Sequence, residues 1–315
     1  SFSFETTKDT AGCRALYRNY IVGDEYWVSP SDSDIQIALP PIPRELIRQI
    51  REGNCILFAG AGTSLDAGLP SWSELLRNMV EKVDDCGLLK ASQKLEIKYL
   101  LDNQDFVSIA EFCKEKLGLH DFAEYIGTNL NTKNRYSKIH DLLSQIPFTA
   151  AITTNYDNFI EKTHQNYRVI LPNEISELDN FDVSQLFNQG LFPVFKIHGS
   201  YERINSIILT DYDYRTVIFK DLKYRETLKK IFEDKSLLFV GFSFRDQSVN
   251  LLLQEILTLS GGKTRAHYAF MNDIGEIKGA FFWKSMNLRV ISYPTIDGSH
   301  IVLAKMIEAL RNEFT

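Results

Sequence analysis

Four short polar clusters in this chain of 315 residues each follow an apolar run, and they hold residue types that bind phosphates and move protons. The first is Gly60-Ala61-Gly62-Thr63-Ser64-Leu65-Asp66-Ala67-Gly68-Leu69-Pro70-Ser71-Trp72, directly after an apolar stretch ending at Ala59. Glycines in such a loop let backbone N–H groups approach a phosphate without interference from Cβ, and a helix starting behind it adds a favourable dipole. The spacing departs from the Gly-x-Gly-x-x-Gly dinucleotide pattern, because Leu65 stands where the third glycine belongs. A phosphate or dinucleotide loop and a tight structural turn both fit it.

The second cluster is Thr153-Thr154-Asn155-Tyr156-Asp157, whose polar side chains either face a ligand crevice or cap a helix beginning at Asn158. The third is Lys196-Ile197-His198-Gly199-Ser200. Of the six histidines, His198 alone combines the end of an apolar run with an adjoining glycine, and imidazole there could exchange protons near neutral pH. The fourth is Gly241-Phe242-Ser243-Phe244-Arg245-Asp246, which reads otherwise as a turn with Ser243 or Asp246 capping the next helix. Two familiar chemistries lack their motifs. Gly262-Lys263-Thr264 is no P-loop, since Leu257 occupies the position of its first glycine. Gly241-Phe242-Ser243 is no nucleophile elbow, since Arg245 occupies its fifth position.

The elements that must carry these clusters follow from periodicity. Asn54 to Ala59 reads as a strand buried on both faces, preceded by a short amphipathic helix, Arg44 to Arg51. Ser71 with Glu74 forms a capping box, and helical patterns then run near 71–83, 91–101, 104–117, 120–130 and 135–144. Beyond Pro147, strands are expected at 149–153, 167–171, 193–197, 206–209, 237–240, 267–271 and 288–291, with helices at 221–233, 245–259 and 300–313. This alternation predicts an α/β fold, a Rossmann-like, mainly parallel sheet interrupted by a helical module. The expected division is an N-terminal extension (1–43), a Rossmann-like domain (44–70 and 147–315) and an inserted helical module (71–146). Such a sheet would gather all four clusters along one edge.

Composition narrows the partners. Lys and Arg total 35 against 41 for Asp and Glu, a net charge of −6, which argues against a nucleic-acid groove or an acidic membrane surface. An anionic dinucleotide can still bind through loop amides. No stretch approaches the length of a transmembrane span, and the first residues lack the pattern of a signal peptide. The four cysteines, at 13, 55, 86 and 113, are too scattered for a Cys-x-x-Cys metal or redox motif; they suit a reducing, cytoplasmic setting, with Cys55 a core thiol. The absent initial Met and the amphipathic stretch that closes the chain suggest an effector domain cut from a larger protein.

Taken together, these residues resemble the sirtuin superfamily. Gly60 to Ser64 with Gly68-Leu69-Pro70-Ser71-Trp72 resembles its NAD-binding loop, Thr154-Asn155-Tyr156-Asp157 its Gln-Asn-x-Asp element, His198-Gly199 its catalytic pair and Gly241-Phe242-Ser243 its later nucleotide contact. The matches span about 54–293 in the family's order. Thr154 replaces the usual glutamine, Ser71-Trp72 replaces Asp-Phe-Arg, and the four-cysteine zinc module of the deacylases cannot be built, so no metal is expected. In these respects the chain is similar to the sirtuin-like domains of prokaryotic antiviral defence. The resemblance implies hydrolysis of NAD+ to nicotinamide and ADP-ribose, with NAD+ as substrate, by a homo-oligomer under the control of a sensor domain or subunit. It implies Asn155, His198 and Asp157 as catalytic. It assigns Gly60, Ala61, Gly62, Thr63, Ser64, Gly68, Pro70, Trp72, Thr154, Gly241 and Ser243 to the dinucleotide. Protein deacylation and non-catalytic nucleotide sensing are the competing expectations.

Overall fold

The computed structural model describes residues 38–178, 185–187, 190–219, 221–244, 253–254, 264–296 and 301–315. At its centre lies β1 (Cys55–Ala59), whose residues are all buried. It is flanked by β2 (Ala151–Thr153) and β5 (Ser236–Val240), with Phe58 opposite Ile152 on one side and Phe239 on the other. Apolar side chains on both faces are what a central parallel strand requires, because helices cover each face. The full order is β3 (Tyr167–Ile170), β4 (Phe192–Lys196), β2, β1, β5, β6 (His267–Asn272) and β7 (Leu288–Tyr293). Every neighbouring pair is parallel. This is the expected α/β, Rossmann-like sheet. The chain lays β2, the edge strand β3 and then β4 between them on one side of β1 and crosses to β5 on the other, so the strand order reverses at β1. The ligand crevice of such a sheet lies at the carboxyl ends of the strands beside that reversal.

Helix α1 (Arg44–Arg51) precedes β1, and four helices separate β1 from β2: α2 (Trp72–Asp85), α3 (Ala91–Asp102), α4 (Phe106–Asn129) and α5 (Lys138–Ser144). The Ser71 capping box forms as expected, with Ser71 Oγ accepting from the Glu74 N–H at 3.3 Å and Glu74 Oε2 accepting from the Ser71 N–H at 2.7 Å. α4 bends at Gly118, whose φ of 73° and ψ of 169° break the helix where the sequence suggested two. Leu75, Leu76, Met79 and Val83 of α2 pack with Ile109, Cys113, Phe122 and Ile126 of α4 in one apolar cluster. A second cluster, including Ile56, Phe58, Ile152, Phe195 and Phe239, is the core of the sheet.

One expected strand is not formed. Residues 207–209 run extended but outside the sheet, after a short turn of helix at Ile204–Ser206. Their alternation has another cause: Ile207 and Leu209 enter the helical cluster, while Ile208 enters the sheet core. There follow α6 (Phe159–Thr163) and α7 (Pro172–Glu177) between β2 and β4, then α8 (Asp211–Tyr214), a π-helical turn at Arg215–Phe219 and α9 (Leu222–Asp234) before β5. α10 (Glu276–Met286) and α11 (Ile301–Arg311) complete the described helices. Residues 1–37 of the N-terminal extension and nearly all of the helix expected at 245–259 lie outside the described residues, as do Arg245 and Asp246.

Candidate active site

The carboxyl ends of β1, β2, β4 and β5 converge on a cavity of about 2020 Å³, larger than the roughly 300–1,000 Å³ of ordinary small-ligand sites. Of the fourteen residues singled out from the sequence, Ala61, Gly62, Ser64, Pro70, Trp72, Thr154, Asn155, Asp157, His198, Gly241 and Ser243 border it. Gly60, Thr63 and Gly68 are not among its lining residues. They shape the loop instead. Thr63 is fully buried, with its hydroxyl donating to the Gly60 carbonyl at 2.8 Å, and Gly68 closes the second turn at a φ of 71°.

The glycines of the first loop serve a close approach, though not the one expected. A Cβ on Gly60 would lie 2.6 Å from the Gly241 carbonyl oxygen, and one on Gly62 would lie 2.8 Å from Gly241 Cα. The Gly62 N–H donates to that same carbonyl at 2.9 Å. The Gly60, Thr63 and Ser64 amides are likewise bonded within the protein, to Val240, Gly60 and Ala61. The loop after β1 is therefore interlocked with the loop after β5, and most of its amides already have acceptors.

Asn155 anchors the second cluster. Its Nδ2 reaches the Gly60 carbonyl at 3.1 Å, Thr63 Oγ1 at 3.2 Å and Ser64 Oγ at 3.2 Å. Thr63 and Ser64 spend their hydroxyl protons elsewhere, on the Gly60 carbonyl and on Asp157 Oδ2 at 2.8 Å, so all three groups act as acceptors toward Asn155. That fixes the amide's orientation. Asn155 Oδ1 is left buried, with no partner among the described residues. A buried carbonyl oxygen without a donor costs about 1–3 kcal/mol, so a residue that borders a cavity in this state is poised for a ligand donor.

Asp157 is more tightly committed than the sequence suggested. Oδ2 accepts from Ser64, and Oδ1 accepts from the Phe159 N–H at 3.1 Å. Asp157 thus braces the turn one residue before the N-cap of the following helix, Asn158, which itself makes no side-chain capping bond, and it supports Ser64 and, through it, Asn155. Below this turn lies an ion pair missed at the sequence level: Lys196, wholly buried, meets Glu161 at 2.9 Å and donates to the Asp157 carbonyl. Burial holds the Glu161 carboxyl above its usual range, against the opposing pull of Lys196. His140, buried beside the same network, is held below the usual imidazole range by desolvation.

His198 is buried at the end of the β4 segment, with Tyr156 at 6.3 Å and Tyr214 at 5.2 Å between ring centroids. Trp72 stacks obliquely beyond Tyr156 at 6.3 Å. Ser243 is exposed at the cavity's rim and Thr154 is half-buried. Sequence reasoning missed Tyr214 and Arg215, which also border the cavity, because their stretch carries no glycine to mark a loop.

Comparison with known proteins places these features in a lineage. Residues 149–291 match the family described as SIR2-like domain, which covers β2 to β7 and so includes Asn155, Asp157, His198, Gly241 and Ser243. The chain is similar to "NAD(+) hydrolase ThsA" of Cytobacillus dafuensis, 26% identical over 74% of this chain and 44% of that protein. It is also similar to the protein of the same name from Enterococcus faecium, 30% identical over 71% and 44%. "Defense-associated sirtuin 2" of Bacillus subtilis is 22% identical over 86% of this chain and 27% of that protein. The chain spans less than half the length of each of these relatives. On this footing, the segment from β2 to β7 is a sirtuin-like domain, similar to the SIR2-like family.

Proposed function

We propose that this chain is an NAD+ hydrolase, cleaving NAD+ to nicotinamide and ADP-ribose as an effector of antiviral defence. The carrying observation is Asn155, whose buried Oδ1 has no donor among the described residues, beside a cavity also bordered by His198. The names of the relatives support the same activity and setting. In the proposed reaction the bond from ribose C1′ to the pyridinium nitrogen breaks, and its electron pair leaves with nicotinamide and neutralises the ring. A water oxygen bonds to C1′ and gives up one proton. Asn155 Oδ1 orients that water or a ribose hydroxyl, and His198 accepts the proton. Exclusion of bulk water by the buried walls strengthens each of these contacts.

The remaining assignments divide by geometry. Asp157 acts mainly through Ser64, since both its oxygens are engaged. Ala61, Gly62, Ser64, Pro70, Trp72, Thr154, Gly241 and Ser243 border the dinucleotide, while Gly60, Thr63 and Gly68 maintain the loop. We assign 71–146 to a helical module beside a sheet domain of 44–70 and 147–315, with 1–43 as an extension. Assembly as a homo-oligomer, under the control of a sensor domain or subunit, belongs to the same proposal. The free thiols Cys55, Cys86 and Cys113 suit a reducing cytoplasm.

Purified full-length protein incubated with NAD+ should release equal amounts of nicotinamide and ADP-ribose. Asn155→Ala and His198→Ala should each lower the rate by about 10²–10⁴. Full turnover by both variants, or a requirement for an acylated peptide with formation of O-acyl-ADP-ribose, would overturn the assignment.

A further inference from the structure

The backbone of His198 is fixed by its surroundings. The Ile208 N–H donates to the His198 carbonyl at 3.0 Å. Gly199 follows at a φ of 86°, where a Cβ would come within 2.1 Å of the Ser206 carbonyl oxygen. The orientation of the imidazole is a separate matter, and it falls to side chains. Tyr156 commits its hydroxyl to the Ile208 carbonyl at 2.7 Å. Tyr214 meets the imidazole edge-on, at an interplanar angle of 84°, with its hydroxyl 3.4 Å from each ring nitrogen. A hydroxyl so placed bears on the rotation of the ring through both of its nitrogens.

Tyr214 sits on α8, a four-residue helix too short to hold its own shape. Asp213 supplies what is missing. Its Oδ2 accepts from the Leu209 and Thr210 N–H groups at 3.2 and 3.1 Å. Lys114 Nζ, from α4, spans both carboxylate oxygens at 3.1 and 2.9 Å. The pair is only 28% and 17% exposed, so solvent screens it less than an ordinary surface pair. Burial works against the charged carboxylate, yet the Lys114 and Thr210 hydrogen bonds bring the Asp213 pKa below its usual value.

We propose that Tyr214 is a positioning residue for His198, and that the Lys114–Asp213 ion pair, by fixing α8, couples α4 to the orientation of the imidazole. The proposal rests on reading His198 as the base of the hydrolase.

The test uses the full-length protein with Tyr214→Phe, Lys114→Met and Lys114→Arg, and Lys94→Met as a control that removes an exposed ion pair with Asp84. Tyr214→Phe and Lys114→Met should each lower kcat for NAD+ cleavage about 10-fold while KM stays within about 2-fold. Lys114→Arg should restore most of the loss, and Lys94→Met should have no effect. In a His198→Ala background, Tyr214→Phe should add nothing further. Independently of turnover, nitrogen-labelled histidine spectra should show the His198 ring signals, identified by their loss in His198→Ala, shifted in Tyr214→Phe and Lys114→Met. Unmoved ring signals in either folded variant, or an equal rate loss in the His198→Ala background, overturn the proposal. Shifted signals in a protein that never cleaves NAD+ uphold the positioning contact and remove the hydrolase reading instead.

Discussion

His267 accepts a hydrogen bond from the Leu237 N–H at 3.2 Å through Nδ1, so its single proton must reside on Nε2. The side chain is buried, Nε2 has no partner among the described residues, and burial pushes the pKa down to about 4 from 6.5. Protonating Nδ1 would forfeit the Leu237 bond and place a charge in the core. Because the folded pKa is depressed, the unfolded chain takes up this proton first. The contribution to stability is therefore complete above pH 6.5 and is lost as pH falls toward 4. His140 and His164 are also held low by burial and act in the same direction. Urea denaturation of the wild type should show this one residue costing about 2 kcal/mol between pH 7 and pH 5. His267→Gln, which keeps an acceptor but does not titrate, should lack that increment; an unchanged pH slope would refute the assignment.

Among the elements, the interlocked loops after β1 and β5 carry the sharpest demand on residue type. Gly241 has a φ of 64°, and a Cβ there would lie 2.4 Å from the Thr63 nitrogen. Gly241→Ala should destabilise the fold by about 2–4 kcal/mol, through left-handed strain and displacement of the facing loop. Gly127→Ala, in α4 with nothing within 4 Å of the new Cβ, should instead stabilise by about 0.5–1 kcal/mol. A denaturant series that ranks the two variants the other way would refute the interlock. This pair of loops also marks how far the sequence could be read. Apolar runs disclosed the buried strands, and the polar clusters at their ends disclosed the part of the cavity wall that the strand ends carry, because both are local patterns. The glycines suggested a close approach, but their neighbour is a backbone some 180 residues away, which no local pattern specifies. Residues 207–209 misled for a related reason: alternate burial looks the same whether the two sides are the faces of a sheet or two separate clusters. Tyr214 and the Lys114–Asp213 pair gave no signal, since their meaning lies wholly in tertiary contacts.

For the molecule as a whole, the relation between the two apolar clusters matters most. Leu39–Thr315 forms one compact unit, and the extended segment 207–209 gives side chains to both clusters within it. Tyr156, from the turn beside Asn155, belongs to the helical cluster and bonds the Ile208 carbonyl, while Ile208 N–H reaches His198. Heating should therefore melt the helical and sheet clusters together, with calorimetric and van't Hoff enthalpies in agreement; two resolved transitions would refute this coupling. The same segment has a further consequence. The Ile208 amide, buried between the clusters and bound to the histidine carbonyl, should exchange for deuterium only when the entire unit opens. It would serve as an internal clock for global opening, against which the exchange of every other amide can be timed.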